Sequence, residues 1–302
     1  MLHTILVPLD CSEFSEQALP TAMAVARRTG ARVRLACVHA MMSPEEALLE
    51  GSSDGARFGR EREKLERLAG EMTAGGVPTD SSVLDGPAAQ TLAEHAAACG
   101  ANLVVMTTHG HGPIARALLG SVSEQLVRLL RIPTILVRPS ELSEGVARPS
   151  AARHLLVALD GSPAAETMLL TAAELGEAMG ARLTLLQVVE PVATFHMYAP
   201  DGVTYPDSED EATEQLRRLS HEYLERLADP LRRRGLAVAT RVAVHPDPTE
   251  AILEVARDHG CDLIALESRG RTGLTRLLLG SVADAVTRDG ATPVLTHSAA
   301  TA

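Results

Sequence analysis

Two glycine-flanked loops hold the residues best suited to chemistry in this sequence. Residues 106–124 read Met-Thr-Thr-His-Gly-His-Gly-Pro-Ile-Ala-Arg-Ala-Leu-Leu-Gly-Ser-Val-Ser-Glu, and residues 266–284 read Leu-Glu-Ser-Arg-Gly-Arg-Thr-Gly-Leu-Thr-Arg-Leu-Leu-Leu-Gly-Ser-Val-Ala-Asp. Gly110, Gly120 and Ser121 thus recur as Gly270, Gly280 and Ser281, with nine residues between the glycines in each copy. Each loop follows a short apolar run, Leu103 to Met106 or Leu263 to Leu266, of the kind that forms a buried parallel strand. A loop leaving the carboxyl end of such a strand and opening a helix offers unpaired N–H groups to an anion. The competing reading is a well-terminated helix. Ser121 and Ser281 are expected as N-caps, each closed by an acid three residues on, Glu124 or Asp284, in a capping box. Capping does not account for Gly110 and Gly270, whose missing side chains would let a phosphate approach the backbone closely.

His109 and His111 raise the question of a metal, but no third ligand accompanies them. Their repeat counterparts are Arg269 and Arg271, which cannot ligate a metal and can meet a phosphate. Positive charge is therefore the trait common to both copies, and no protein-bound metal site is expected. Arg116 and Arg276 also recur, either within reach of phosphates or on a solvated helix face.

The chain has 302 residues with 45% hydrophobic content, enough for two domains with cores of their own. A net charge of -11 argues against nucleic acid or an anionic membrane as the main partner, since both require clustered Lys and Arg. With no Trp, three Tyr and three Phe, there is no stacking platform for single strands. Cys11, Cys37, Cys99 and Cys261 show no CxxC spacing and do not recur between the halves, so reduced thiols are expected. No secretory leader and no membrane-length apolar stretch is read, which gives a cytoplasmic expectation.

The elements that must position the loops follow from periodicity and turn residues. In the first half we expect strands at Thr4 to Leu9, Arg32 to His39, Ser81 to Leu84, Leu103 to Met106 and Thr134 to Val137. Helices ending at about Arg28 and spanning Arg60 to Met72 and Ala88 to Ala98, and one starting at Ser121, alternate with them. The second half repeats this order from Leu155, with an insertion within residues 190–217 that carries Phe195, Tyr198 and Tyr205 and reads as a longer surface loop or lid. The domains expected are 1–140 and 153–302, joined by a linker over 141–152. The fold class is α/β: two tandem doubly wound parallel-sheet domains of Rossmann-like type, each with five strands and four helices. In such a sheet the first strand is central. Asp10, at its end, would face the glycine loop, where a carboxylate can accept from an adenine amino group or a ribose hydroxyl, or can cap the next helix.

Val-Pro-Leu-Asp at residues 7–10, Val-Ala-Leu-Asp at 157–160, the ending Ile-Pro-Thr-Ile-Leu-Val at 132–137 and the two glycine motifs resemble the universal stress protein family. The likeness runs over nearly the whole chain. It implies an adenine nucleotide alpha hydrolase-like fold that binds ATP, with Mg travelling with the nucleotide, and that pairs through its last strand, within the chain or in a homodimer. Carried over by motif, Pro8, Asp10 and Val38 would hold adenine and ribose. Gly110, Gly120, Ser121 and Val122 would hold ribose and phosphates, and Met106 and Thr107 would line the junction between them. The second-half counterparts are Ala158, Asp160, Val188, Leu266, Glu267, Gly270, Gly280, Ser281 and Val282.

The family's first motif glycine is replaced by Thr107 in the first half and by Glu267 in the second. A carboxylate 4 Å from a phosphate costs roughly 4 kcal/mol at a surface-like dielectric, about a thousandfold in affinity if nothing offsets it. The first site is therefore expected to fill in preference to the second. No catalytic residues are expected: neither Ser-Gly-Gly-x-Asp-Ser nor His-x-Gly-His occurs, which leaves at most slow ATP hydrolysis. The functional expectation is a nucleotide-responsive stress or signalling regulator. The alternative is an interaction module that binds no nucleotide, in which the apolar last strands 134–137 and 293–296 mediate association.

Overall fold

The computed structural model describes residues 2–41, 53–108, 120–139, 152–191, 207–267 and 280–297, with backbone alone at 207–210. The first half contains strands β1 (Thr4–Leu9), β2 (Arg32–His39), β3 (Thr79–Asp85), β4 (Leu103–Thr107) and β5 (Thr134–Val137). Its helices are α1 (Glu13–Glu16), α2 (Leu19–Thr29), α3 (Asp54–Ala74), α4 (Ala88–Ala98) and α5 (Ser121–Leu129). The second half contains β6 (His154–Ala158), β7 (Arg182–Val189), β8 (Val238–Val244), β9 (Leu263–Ala265) and β10 (Val294–Thr296). The helices between them are α6 (Pro163–Met179), α7 (Asp207–Arg233), α8 (Pro248–Asp258) and α9 (Ser281–Asp289).

The strands form one ten-stranded sheet in the order β3-β2-β1-β4-β5-β10-β9-β6-β7-β8. Every pairing is parallel except β5 with β10, which run antiparallel and join the halves with Ile135 opposite Leu295. Each half therefore has the order 3-2-1-4-5, with the change of direction falling between its first and fourth strands. The long helices that follow those two strands lie on opposite faces, α2 and α6 on one and α5 and α9 on the other, the arrangement that opens a crevice at the carboxyl edge of such sheets.

Both faces of the sheet are covered, which is why β1 and β4 read as continuous apolar runs. Along β1, Ile5, Val7 and Leu9 enter a core with α2, α3, α6 and α7, whereas Leu6 enters the opposite core with α4, α5, α8 and α9. Pro8 lies near the carboxyl end of this central strand, beyond the Ile5–Leu103 and Leu6–Val104 pairs with β4. A residue without an N–H is tolerated where a ladder is ending.

The helix expected after β1 is divided into α1 and α2. Pro20 stands in the first turn of α2, where its missing N–H is no loss. Gly30 closes α2 at φ 72°, its N–H donating to Ala26 O. The expected linker over 141–152 lies outside the described residues apart from Ala152, as do the aromatic residues of the 190–217 insertion; the end of that insertion, expected as a surface loop or lid, is instead the start of α7.

Candidate functional site

In the first half, β1 brings Pro8 and Asp10 to the carboxyl edge, level with Ala36 to Val38 of β2 on one side and with Met106 and Thr107 of β4 on the other. Met106, Thr107 and Thr108 are buried, Pro8 and Val38 are half-buried, and Asp10 is exposed. Asp10 Oδ1 accepts hydrogen bonds from Ser12 N at 3.0 Å and Ser12 Oγ at 2.5 Å. Ser12 Oγ in turn accepts from Ser15 N at 3.1 Å as the N-cap of α1. One carboxylate oxygen of Asp10 thus organises the turn after β1. Asp160 does the same after β6: its Oδ1 accepts from Ser162 N at 2.9 Å, and Ser162 Oγ caps α6 by accepting from Ala165 N at 3.2 Å.

The return of the glycine loop is fixed at its second end. Gly120 N donates to Thr108 O at 2.8 Å, which brings the start of α5 to the end of β4. Ser123 Oγ adds a hydrogen bond to Thr107 O at 3.2 Å. Together these bonds seat the N-terminus of α5 against the end of β4. Ser121 and Val122 are exposed there, Val122 at 42%.

The expected capping boxes do not form. Gly120 and Gly280 hold the cap positions, at φ -57°, ψ 147° and φ -53°, ψ 157°, and Ser121 and Ser281 are the first helical residues. Glu124 and Asp284 consequently sit one residue too far along the helix and form ion pairs with Arg128 at 3.4 Å and Arg288 at 3.2 Å. Glycine has no side chain to offer the first-turn N–H groups, so both helix starts lack a side-chain cap. Both dihedral pairs are ordinary extended backbone that any residue can adopt. Glycine is not needed there for its conformational freedom; its effect is to keep the space in front of the helix clear of a Cβ.

In the second half, Ala158, Asp160 and Val188 are half-buried at the edge, and Leu266 and Glu267 are buried at 4% and 8% exposure. Extending the β6–β9 register from Val157–Ala265 places Ala158 level with Leu266. Val282 is half-buried and Ser281 exposed at the start of α9. The site residues Gly110 and Gly270, and with them His109, His111, Arg116, Arg269, Arg271 and Arg276, lie outside the described residues. The described portions of both sites therefore gather the strand-end and helix-start members of the expected set. Among the described residues no cluster of three or more His, Cys, Asp or Glu has the form of a metal site.

Two groupings at the first edge have no counterpart in the motif reading. His39, at the end of β2 and 4% exposed, meets Glu61 Oε2 through Nδ1 at 2.6 Å and Asp54 Oδ1 through Nε2 at 3.1 Å. Phe58 stands edge-on to the imidazole, and Arg57 meets Glu61 at 3.2 Å. Burial disfavours the imidazolium, but the bonds and charges of Glu61 and Asp54 outweigh it and raise the His39 pKa above its ordinary value. The cluster ties α3 to the carboxyl edge. The second grouping is Cys11 with Cys37, whose sulfurs lie 3.7 Å apart. The sequence signal for the cysteine pair is positional, since β1 and β2 are neighbours in the sheet; the His39 cluster instead joins the end of β2 to the first two turns of α3.

No helix among the described residues is long and apolar enough to cross a membrane. A model of the universal stress protein family matches residues 1–138 and 151–296. A universal stress protein of Mycobacterium tuberculosis is 33% identical over 196 residues, which cover 65% of this chain and 61% of that protein. The chain thus matches less than two thirds of the length of that relative. One from Thermus aquaticus is 35% identical over 140 residues, 46% of this chain and 100% of that protein. The crystal structure of a universal stress protein from Archaeoglobus fulgidus shares the fold, with a TM-score of 0.69 at 20% identity over 98% of both chains. With both halves matched in tandem, the chain belongs to the universal stress protein family.

Proposed function

We propose that this chain is an ATP-binding universal stress protein whose nucleotide occupancy sets the state of a stress or signalling response. The observation that carries this reading is the start of α5: Gly120 caps the helix without a side chain, in a backbone conformation that does not require glycine, against the end of β4. Uncapped N–H groups and the positive end of the helix suit phosphate. Pro8, Val38 and Met106 supply an apolar wall for adenine, and Asp10 lies within the same edge to meet ribose or the adenine amino group. Gly110, Ser121 and Val122 complete the first site, and Thr107 lines it. Mg accompanies the nucleotide, bound through phosphate oxygens more than through protein ligands.

Ala158, Asp160, Val188, Leu266, Gly270, Gly280, Ser281 and Val282 form the second site, weakened by the buried carboxyl of Glu267. We take residues 1–140 and 153–302 as the two domains, paired within the chain; the antiparallel ladder of β5 and β10 supports this. Association into a homodimer would then use another surface or exchange that ladder. Catalysis beyond slow ATP hydrolysis is not part of the proposal. The test is to denature freshly purified protein gently, count released nucleotide per chain by chromatography, and titrate apo protein with ATP and Mg by calorimetry. One ATP per chain is expected. Absence of nucleotide in both experiments would refute the site and leave an interaction module built on apolar strands.

A further inference from the structure

Cys11 and Cys37 form a pair that the second half lacks. Cys37 lies on β2, opposite Leu9 of β1 and 2% exposed, while Cys11 follows Leu9 by two residues and is half-buried. Their sulfurs are 3.7 Å apart and both thiols are free. Cys11 has φ 62°, and the equivalent residue after β6 is Gly161 at φ 81°. A side chain in this left-handed region is strained, which glycine avoids. The first half keeps a cysteine in a conformation suited to glycine, with its sulfur against a second thiol.

The surroundings give the two thiols different roles. The hydrogen bond with Cys37 lowers the pKa of Cys11 and burial opposes it; the carboxylates of Glu61 and Asp10 also oppose it, whereas the Lys64 ammonium favours the thiolate. Lys64 Nζ donates to Cys11 O at 2.9 Å, which fixes that cation beside the residue. The same thiol contact, followed by burial, raises Cys37. Cys11 is thus the less buried of the two residues and the one whose thiolate is favoured over that of Cys37.

We propose that Cys11 and Cys37 are a peroxide-reactive dithiol that closes to a disulfide within the chain. Hydrogen peroxide is the oxidant. The Cys11 thiolate attacks one peroxide oxygen, the O–O bond breaks, and the departing hydroxide takes up a proton to leave as water, giving a sulfenic acid. The Cys37 sulfur then attacks the Cys11 sulfur, the S–O bond breaks, and the hydroxide leaves as a second water with the Cys37 proton. Two thiols and one peroxide become one disulfide and two waters. The sulfurs, now 3.7 Å apart, close to about 2.05 Å when the bond forms. This goes beyond nucleotide binding and stands whether or not ATP occupies the adjacent edge.

The experiment is exposure of the reduced full chain to a few equivalents of hydrogen peroxide, followed by alkylation, thiol counting and non-reducing peptide mapping. Circular dichroism checks that the chain remains folded. The expected result is loss of two of the four thiols, a Cys11–Cys37 linked peptide, and recovery of both thiols with dithiothreitol. A double variant, Cys99→Ser with Cys261→Ser, should lose the same two. In Cys37→Ala, Cys11 should stop at the sulfenic acid and be captured by dimedone. Recovery of Cys11 and Cys37 both alkylated from folded, oxidised wild-type chain would overturn the proposal. So would a link from either one to Cys99, Cys261 or a second chain.

Discussion

Replacing Gly120 by valine separates a phosphate site from a mere helix start. The φ -57° and ψ 147° of Gly120 are comfortable for a β-branched residue, so valine adds no backbone strain. At this half-buried N-cap, where valine is a poorer residue than glycine, the fold should lose about 1 kcal/mol. Binding should change far more, because the new side chain occupies the space through which a phosphate would reach the first-turn N–H groups. Each hydrogen bond to a charged group contributes about 1.5–3 kcal/mol. Losing two would cost roughly 3–6 kcal/mol, on the order of a hundredfold to ten-thousandfold in affinity. The assay is calorimetric titration of apo wild type and Gly120→Val with ATP at constant Mg, paired with thermal denaturation without nucleotide. An unchanged affinity in a variant that melts like wild type would refute the assignment. If valine lowers the melting temperature by many degrees, Gly120→Ala provides the same comparison with less bulk.

The remaining predictions concern the second site and the first-edge histidine. Glu267→Gly should improve second-site affinity by as much as about a thousandfold, the roughly 4 kcal/mol of a phosphate-carboxylate repulsion at a surface-like dielectric. Titration in the Gly120→Val background isolates that site, and unchanged second-site binding would show that Glu267 is already offset. His39 has a raised pKa, so its stabilising charge is fully present below the unfolded value of about 6.5 and is lost as pH rises through the folded value. Wild type should therefore lose stability relative to His39→Gln as pH is raised from about 6 toward 8. Parallel denaturation curves for the two proteins across that range would contradict the imidazolium assignment.

Local pattern made much of the architecture legible. β1, β2, β5 and α4 run where alternation, apolar runs and turn residues place them, because each is bounded by a glycine, a proline or a polar turn. The Gly120–Ser121 junction was read one residue out of register. Serine is the better cap by side chain, but the loop returns in extended backbone at the glycine, and the tie of Gly120 N to Thr108 O determines where the helix begins. The division of α1 from α2 was carried by Pro20, a signal weaker than the continuous apolar face around it. Cys11 with Cys37 and His39 with Glu61 escaped motif reading for a different reason. Their partners are 26 and 22 residues away along the chain: the two cysteines meet because β1 and β2 end side by side, and His39 meets Glu61 because α3 packs back over the end of β2.

The antiparallel seam between β5 and β10 gives the tandem chain a property that two separate halves could not have. Ladder partners that share one polypeptide meet at an effective concentration set by the connecting segment rather than by the amount of protein in solution. Their association is a first-order event, indifferent to dilution. The union of the halves therefore persists at abundances where a reversible dimer of single-domain chains would separate.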